Sequence, residues 1–159
     1  MHSVSAKLYD EDFYAWTQDQ ARALAELAAT RPNAPVDFPN LIEEVEDLGR
    51  SARNAVRSQM RRLLEHLLKL AYSPATEPRR GWLATVDQAR LELRDHLTPT
   101  LRQDAEAKLP RLYLDARLLT IRRLANFDED EAAARLPTTC PFPVDRLLDP
   151  DWYPTAPSS

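Results

Sequence analysis

From Asn40 to Tyr72 the chain reads NLIEEVEDLGRSARNAVRSQMRRLLEHLLKLAY, a run with no proline and one glycine. Apolar or small residues recur at Leu41, Val45, Leu48, Ala52, Ala55, Val56, Leu63, Leu67 and Leu70, with Gln59 continuing the line between Val56 and Leu63. Steps of three and four residues place these on one face of an α-helix. A second line through Ile42, Met60, Leu64 and Leu68 widens that face, which suits a helix packed on several neighbours. At about 1.5 Å per residue such a helix spans roughly 45 Å. Gly49 is its weak point, since a mid-helix glycine costs on the order of 1 kcal/mol relative to alanine. It either ends a first helix, with Ser51 capping a second, or lets another helix approach closely. The apolar phase survives across it, which favours one helix, straight or kinked. Acids (Glu43, Glu44, Glu46, Asp47) precede bases (Arg50, Arg53, Arg57, Arg61, Arg62), the order that complements the helix macrodipole.

The rest of the chain points the same way. It carries 2 glycines and 13 prolines in 159 residues. So few glycines leave few positions for positive-φ turns, and the prolines punctuate periodic segments as helix starts and stops. The expectation is an all-α protein, a compact bundle of five to six helices around the long central one, with a Pro-rich C-terminal tail. Residues 1–8 read as an N-terminal arm, 9–154 as a single helical domain and 155–159 as a disordered tail. Asp10 is the expected cap of a first helix running to about Ala29. After the central helix come helices at about 81–97 and from Thr100 to Leu109. Another opens at Pro110 and ends near Asn126, a brief one is capped by Asp128, and a single turn lies at Val144–Leu148. The expected core is Trp16, Leu24, Leu27, Leu41, Val45, Leu48, Val56, Leu63, Leu67, Val86, Leu93, Leu119 and Leu124.

Net charge is −4, which disfavours a generally basic nucleic-acid binder while leaving a local basic face open. The single cysteine, Cys140, has no intrachain disulfide partner. No stretch approaches the roughly 18 consecutive apolar residues of a membrane span, so no membrane is expected. The N-terminus lacks a basic-then-apolar leader pattern, and a cytoplasmic location is the expectation.

The segment NLIEEVEDLGRS (Asn40–Ser51), then LLEHLLKLAYSP (Leu63–Pro74) and Trp82, resembles the bacterial family named domain of unknown function 29 (DUF29). YDEDFYAWTQDQARAL (Tyr9–Leu24) is similar to that family's first helix, and CPFPVDRLLDPDWYP (Cys140–Pro154) to its closing segment. The resemblance covers nearly the whole chain. It implies an all-helical domain and no activity.

Chemistry-bearing constellations are sparse. A di-iron carboxylate bundle needs Glu-x-x-His on two helices, and the residues three before His66 and His96 are Leu63 and Leu93. With only Gly49 and Gly81, no phosphate-cradling glycine loop can be written. No metal and no cofactor are therefore expected, and whether the chain is an enzyme stays open. Glu43, Glu44 and Glu46 form a candidate acidic cluster whose plainer reading is a helix N-terminal half matched to its dipole. Arg50, Arg53 and Arg57, with Arg79 and Arg80, are candidate anion-binding residues; their plainer reading is a salt-bridged solvent face. The favoured candidate pocket is His66, Lys69 and Trp82. His66 and Lys69 lie three residues apart on one helix, and the loop Ser73–Gly81 must reverse the chain, bringing Trp82 back over the last turns. Against it stands a packed helical corner. The leading function is a protein–protein interaction or regulatory module, with a protein partner or a second copy as occupant. A nucleic-acid-associated module and a Glu/His enzyme are the alternatives.

Overall fold

The long apolar run folds as one uninterrupted helix. In the computed structural model, which describes residues 2–158, this helix is α3 (Phe38–Tyr72). It follows α1 (His2–Glu11) and α2 (Phe13–Thr30), and precedes α4 (Arg79–His96), α5 (Pro99–Asn126), α6 (Asp130–Ala134) and α7 (Val144–Leu148). The described residues form these seven helices and no strand, so the chain is all-α. Met1 and Ser159, the outermost residues of the expected arm and tail, lie outside the described residues.

The sequence reading differs from the structure at three places, one of them α6, whose N-cap position is Glu129 rather than Asp128. The stretch read as an arm is helical from His2, and the cap of α2 is Asp12 rather than Asp10. Pro110 opens no new helix; it lies inside α5. A proline there removes one backbone hydrogen bond and crowds the preceding turn, at about 3 kcal/mol or more. Burial of Ala105 before it and of Leu112, Tyr113 and Ala116 after it holds the helix through that point.

The chain gathers into two compact units. The first comprises residues up to Ala55 together with Leu97–Gln103. Here Asp12 caps two helices. One carboxylate oxygen accepts from Ala15 N at 3.0 Å, at the start of α2. The other accepts from Thr100 N at 2.9 Å and Thr100 Oγ1 at 2.7 Å, at the start of α5. Such bonds satisfy the amides that a helix start leaves without partners. Tyr9, Phe13 and Trp16 pack as an aromatic trio, with Tyr9 edge-on to both others and Phe13 and Trp16 stacked. Gly49 is the contact of α3 with α2: a β-carbon there would collide with the buried Thr17 side chain.

The second unit comprises Val56–His96 and the residues from Asp104 onward. Every residue from Leu63 to Leu70 is buried, because α3 is covered on all sides there. Val86, Ala89 and Leu93 of α4, Leu112, Tyr113, Ala116 and Leu124 of α5, and Leu147 of α7 are buried with it. Arg57 of α3 forks onto Asp104 of α5 through Nε at 2.8 Å and Nη2 at 2.7 Å. The buried Arg90 binds the C-terminal segment, donating to the carbonyls of Leu147, Trp152 and Arg146 at 2.9, 2.7 and 3.2 Å.

Val56, Leu63, Leu67, Val86, Leu93 and Leu124 are buried as expected. Trp16, Leu24 and Val45 are half-buried. Leu27, Leu41, Leu48 and Leu119 are not core: they are 41–52% exposed. Periodicity identifies the apolar side of a helix but not how much of that side a neighbour covers.

Candidate functional site

The second unit holds a cavity of about 990 Å³ where the end of α3, the following loop, the start of α4 and the end of α5 meet. Lys69, in the leucine-rich end of α3, lines it from that side. Burial of that segment carries two charged residues inside with the leucines, Glu65 and Lys69. They lie one turn apart and pair at 3.4 Å. Arg123 of α5 reaches the same Glu65 oxygen at 2.8 Å. A buried carboxylate without cations would be strongly destabilising; here one carboxylate serves two. Lys69 Nζ also lies 5.7 Å from the centre of the Trp82 ring, within cation–π range. Burial holds the Lys69 ammonium below its ordinary value of 10.5, with Glu65 opposing that shift and Arg123 adding to it.

The walls follow from local chain chemistry. Ser73 ends α3, and its hydroxyl donates to Glu129 and accepts from Ala75 N at 3.2 Å. Arg79 turns back to close the C-terminus of α3, donating to the Ser73 carbonyl at 3.2 Å and to the Leu70 carbonyl. This arrangement satisfies the final carbonyls of α3 and complements its dipole. Pro74 and Pro78 shape the loop between, and both line the cavity. Trp82 follows in the first turn of α4. On the other side α5 ends in a Schellman motif: Glu129 N donates to Leu124 O at 2.9 Å and Asp128 N to Ala125 O at 3.1 Å. Asp128 takes the left-handed conformation, φ 59°, that this motif requires. The turn leaves Phe127 on the cavity lining and 76% exposed.

The structure brings Lys69 and Trp82 together in this cavity. His66 is buried one turn earlier and is committed to its own helix, its ring Nδ1–H donating to the Arg62 carbonyl at 2.8 Å. Burial lowers its pKa from 6.5; the Arg62 bond works against that, and Lys69 adds to it. Glu43, Glu44 and Glu46 belong to the first unit; Glu43 and Glu44 are exposed, and Glu46 lies 3.8 Å from Arg50. Among the arginines, Arg50 pairs with Asp47, Arg57 with Asp104, and Arg79 with backbone carbonyls. Arg53 is half-buried and Arg80 exposed. Among the described residues no group of three or more His, Cys, Asp or Glu is placed to hold a metal ion. No helix among them is long and apolar enough to cross a membrane.

Sequence reasoning missed Glu65, Arg123, Phe127 and Glu129. One signal for Glu65 was present: LLEHLLKL places Glu65 and Lys69 four residues apart inside a leucine run, the spacing of an ion pair. Arg123 and Phe127 carry no such signal, because α5 brings them to the cavity from far along the chain. Chemically, the site offers aromatic surface from Trp82 and Phe127 beside the buried Lys69–Glu65 pair, the half-exposed Arg123, and the acids Glu77 and Glu129.

No curated protein matches this chain. An α-helical protein of unknown function from Rhodospirillum rubrum has a similar crystal structure. It is 26% identical, with a TM-score of 0.80 over 90% of each chain. Residues 8–153 match the domain of unknown function DUF29, and the chain belongs to that family.

Proposed function

We propose that the protein is a helical interaction module that docks a segment of a partner polypeptide in the cavity of its second unit. The supporting observation is Phe127, three-quarters exposed on the lining of a cavity that also presents Trp82, Pro74 and Pro78. Exposed aromatic side chains beside a concave apolar surface are the usual anchors of protein recognition. The volume, about 990 Å³, is at the upper end of small-ligand pockets and accommodates several side chains. The nucleic-acid reading has less support, since Arg50, Arg57 and Arg79 are engaged by carboxylates or carbonyls.

Selection of a displayed random-peptide library on the purified full chain tests the proposal. Enriched peptides should bind Phe127→Ala and Trp82→Ala at least about 30-fold more weakly, the loss typical of a hot-spot residue. Phe127 is exposed, so its removal leaves the fold intact, which circular dichroism checks. Peptides that bind Phe127→Ala as tightly as the parent chain, or a library that yields none, would remove this reading.

A further inference from the structure

Lys69 is a buried amine on the wall of a cavity that also presents Trp82, Leu124 and Phe127. Its ammonium pairs with Glu65 Oε1 at 3.4 Å. A buried lysine so paired ordinarily keeps its proton, because losing it strands a buried carboxylate. Here Arg123 lies 2.8 Å from the same oxygen. A guanidinium stays charged, so Glu65 keeps a cation whether or not Lys69 is protonated. With the ammonium, the three side chains carry two positive charges against one negative; with the free amine, they balance. Burial favours the balanced state. The other groups around the amine leave this balance in place. His66, three residues earlier, is neutral above pH 6.5 because burial lowers its pKa. Glu77 is exposed, Glu129 accepts from the Ser73 hydroxyl, and neither is among the charges that move Lys69. Trp82 favours the ammonium, but from 5.7 Å, the outer part of cation–π range.

We propose that Lys69 condenses reversibly with an aldehyde whose aromatic or aliphatic group rests against Trp82 and Phe127. Desolvation together with a second cation beside the amine is the arrangement that activates a lysine as a nucleophile. The free amine of Lys69 bonds to the carbonyl carbon, and the carbon–oxygen double bond opens to give a carbinolamine. Both N–H hydrogens of the amine then leave with the carbonyl oxygen as one water, giving an imine; nothing is oxidised or reduced. The proton that the ammonium first gives up passes to bulk water. The inference does not rest on the docking of a polypeptide, since it needs only the cavity and its charges.

The test incubates the full chain with benzaldehyde at pH 7, traps the imine as a secondary amine with cyanoborohydride, and locates it by peptide mass spectrometry. The chain has three lysines, and Lys7 and Lys108 are exposed, so they serve as internal references. Lys69 should be labelled at least about tenfold faster than either, since a tenfold larger share of free amine attacks tenfold faster. That rate should saturate with benzaldehyde concentration and level off at a lower pH than the rates at Lys7 and Lys108. In Arg123→Gln, loss of the Lys69 proton would strand Glu65, so labelling of Lys69 should fall to the rate of Lys7 or below. The Arg123 side chain is 52% exposed, so this variant keeps the fold, which circular dichroism checks. Phe127→Ala, at an exposed position, should raise the half-saturating benzaldehyde concentration at least about twofold, the worth of one ring contact. Lys69 labelled no faster than the exposed lysines overturns the inference. So does a rate that climbs linearly with benzaldehyde, or one that is unchanged in Arg123→Gln. None of these outcomes bears on the docking reading, which peptide selection judges separately.

Discussion

Gly49 and Gly81 both sit inside helices, and their surroundings give the same substitution opposite signs. Alanine is favoured over glycine in a helix by about 1 kcal/mol. At Gly81 nothing lies within 4 Å of an added β-carbon, so Gly81→Ala should raise stability by up to about that amount. At Gly49 the added carbon meets Thr17 Oγ1, whose hydroxyl is fixed by donating to the Tyr14 carbonyl at 2.6 Å. Overpacking costs about 1–3 kcal/mol, so Gly49→Ala should be net destabilising despite its better helix propensity. Urea titration of both variants, and of Gly49→Ala in a Thr17→Ala background, checks the cause. With Thr17 shortened the alanine should become favourable; if it stays unfavourable there, the collision is not the reason. The sequence posed the right alternatives for Gly49, a helix break or a close approach. Only the neighbour chooses between them, and that neighbour lies on another helix.

At the scale of elements, local signals located helices well and joined them less well. Proline carries a strong stop signal, yet at Pro110 the buried residues on either side outweigh it. The end of α5 is legible in retrospect only through Asp128, since aspartate tolerates the left-handed conformation better than most residues. The C-terminal segment illustrates a different limit. Its composition reads as a Pro-rich tail with a single turn at Val144–Leu148. Leu147 of that turn is fully buried, but much of the polar attachment comes from Arg90, in the middle of α4. The Tyr153 ring stacks 5.3 Å from that guanidinium, and the Tyr153 hydroxyl donates to Asp87. Lysine keeps the charge but cannot span three carbonyls in a fork. Arg90→Lys should therefore cost about 1.5–3 kcal/mol or more, the worth of losing one or more charge-assisted hydrogen bonds. Chemical denaturation measures the loss. A change within about 0.5 kcal/mol, typical of surface substitutions, would show that the strap is held by Leu147 alone.

For the molecule as a whole, the all-α class was legible from periodicity and glycine count, while the division between covered and open apolar faces was not. Leu63 and Leu48 obey the same spacing, and one is fully buried while the other is 52% exposed. The candidate site was half legible for the same reason: Lys69 and Trp82 are close in sequence, whereas Arg123 and Phe127 arrive through tertiary packing. Two buried groups set how stability responds to acid. His66 has its pKa lowered from 6.5, chiefly by burial. Above that value it is neutral in both folded and unfolded chains. As pH falls below 6.5 the unfolded chain takes up the proton more readily, so stability declines until pH passes below the folded value. Asp12 acts lower on the scale. Burial alone would raise its carboxyl, but hydrogen bonds from Thr100, Ala15 and Thr98 outweigh burial and hold it below 3.8. Its contribution is complete above 3.8 and is lost as pH falls through the folded value. Unfolding free energies from urea titrations should therefore decline between about pH 7 and pH 5, and less so in His66→Gln. A second decline should set in below 3.8 and be flatter in Asp12→Asn, which starts from a lower plateau because it has already lost the charged cap. Parallel curves for the wild type and His66→Gln above pH 5 would mean that His66 gains its proton without cost, and that its burial in α3 is less complete than the packing shows.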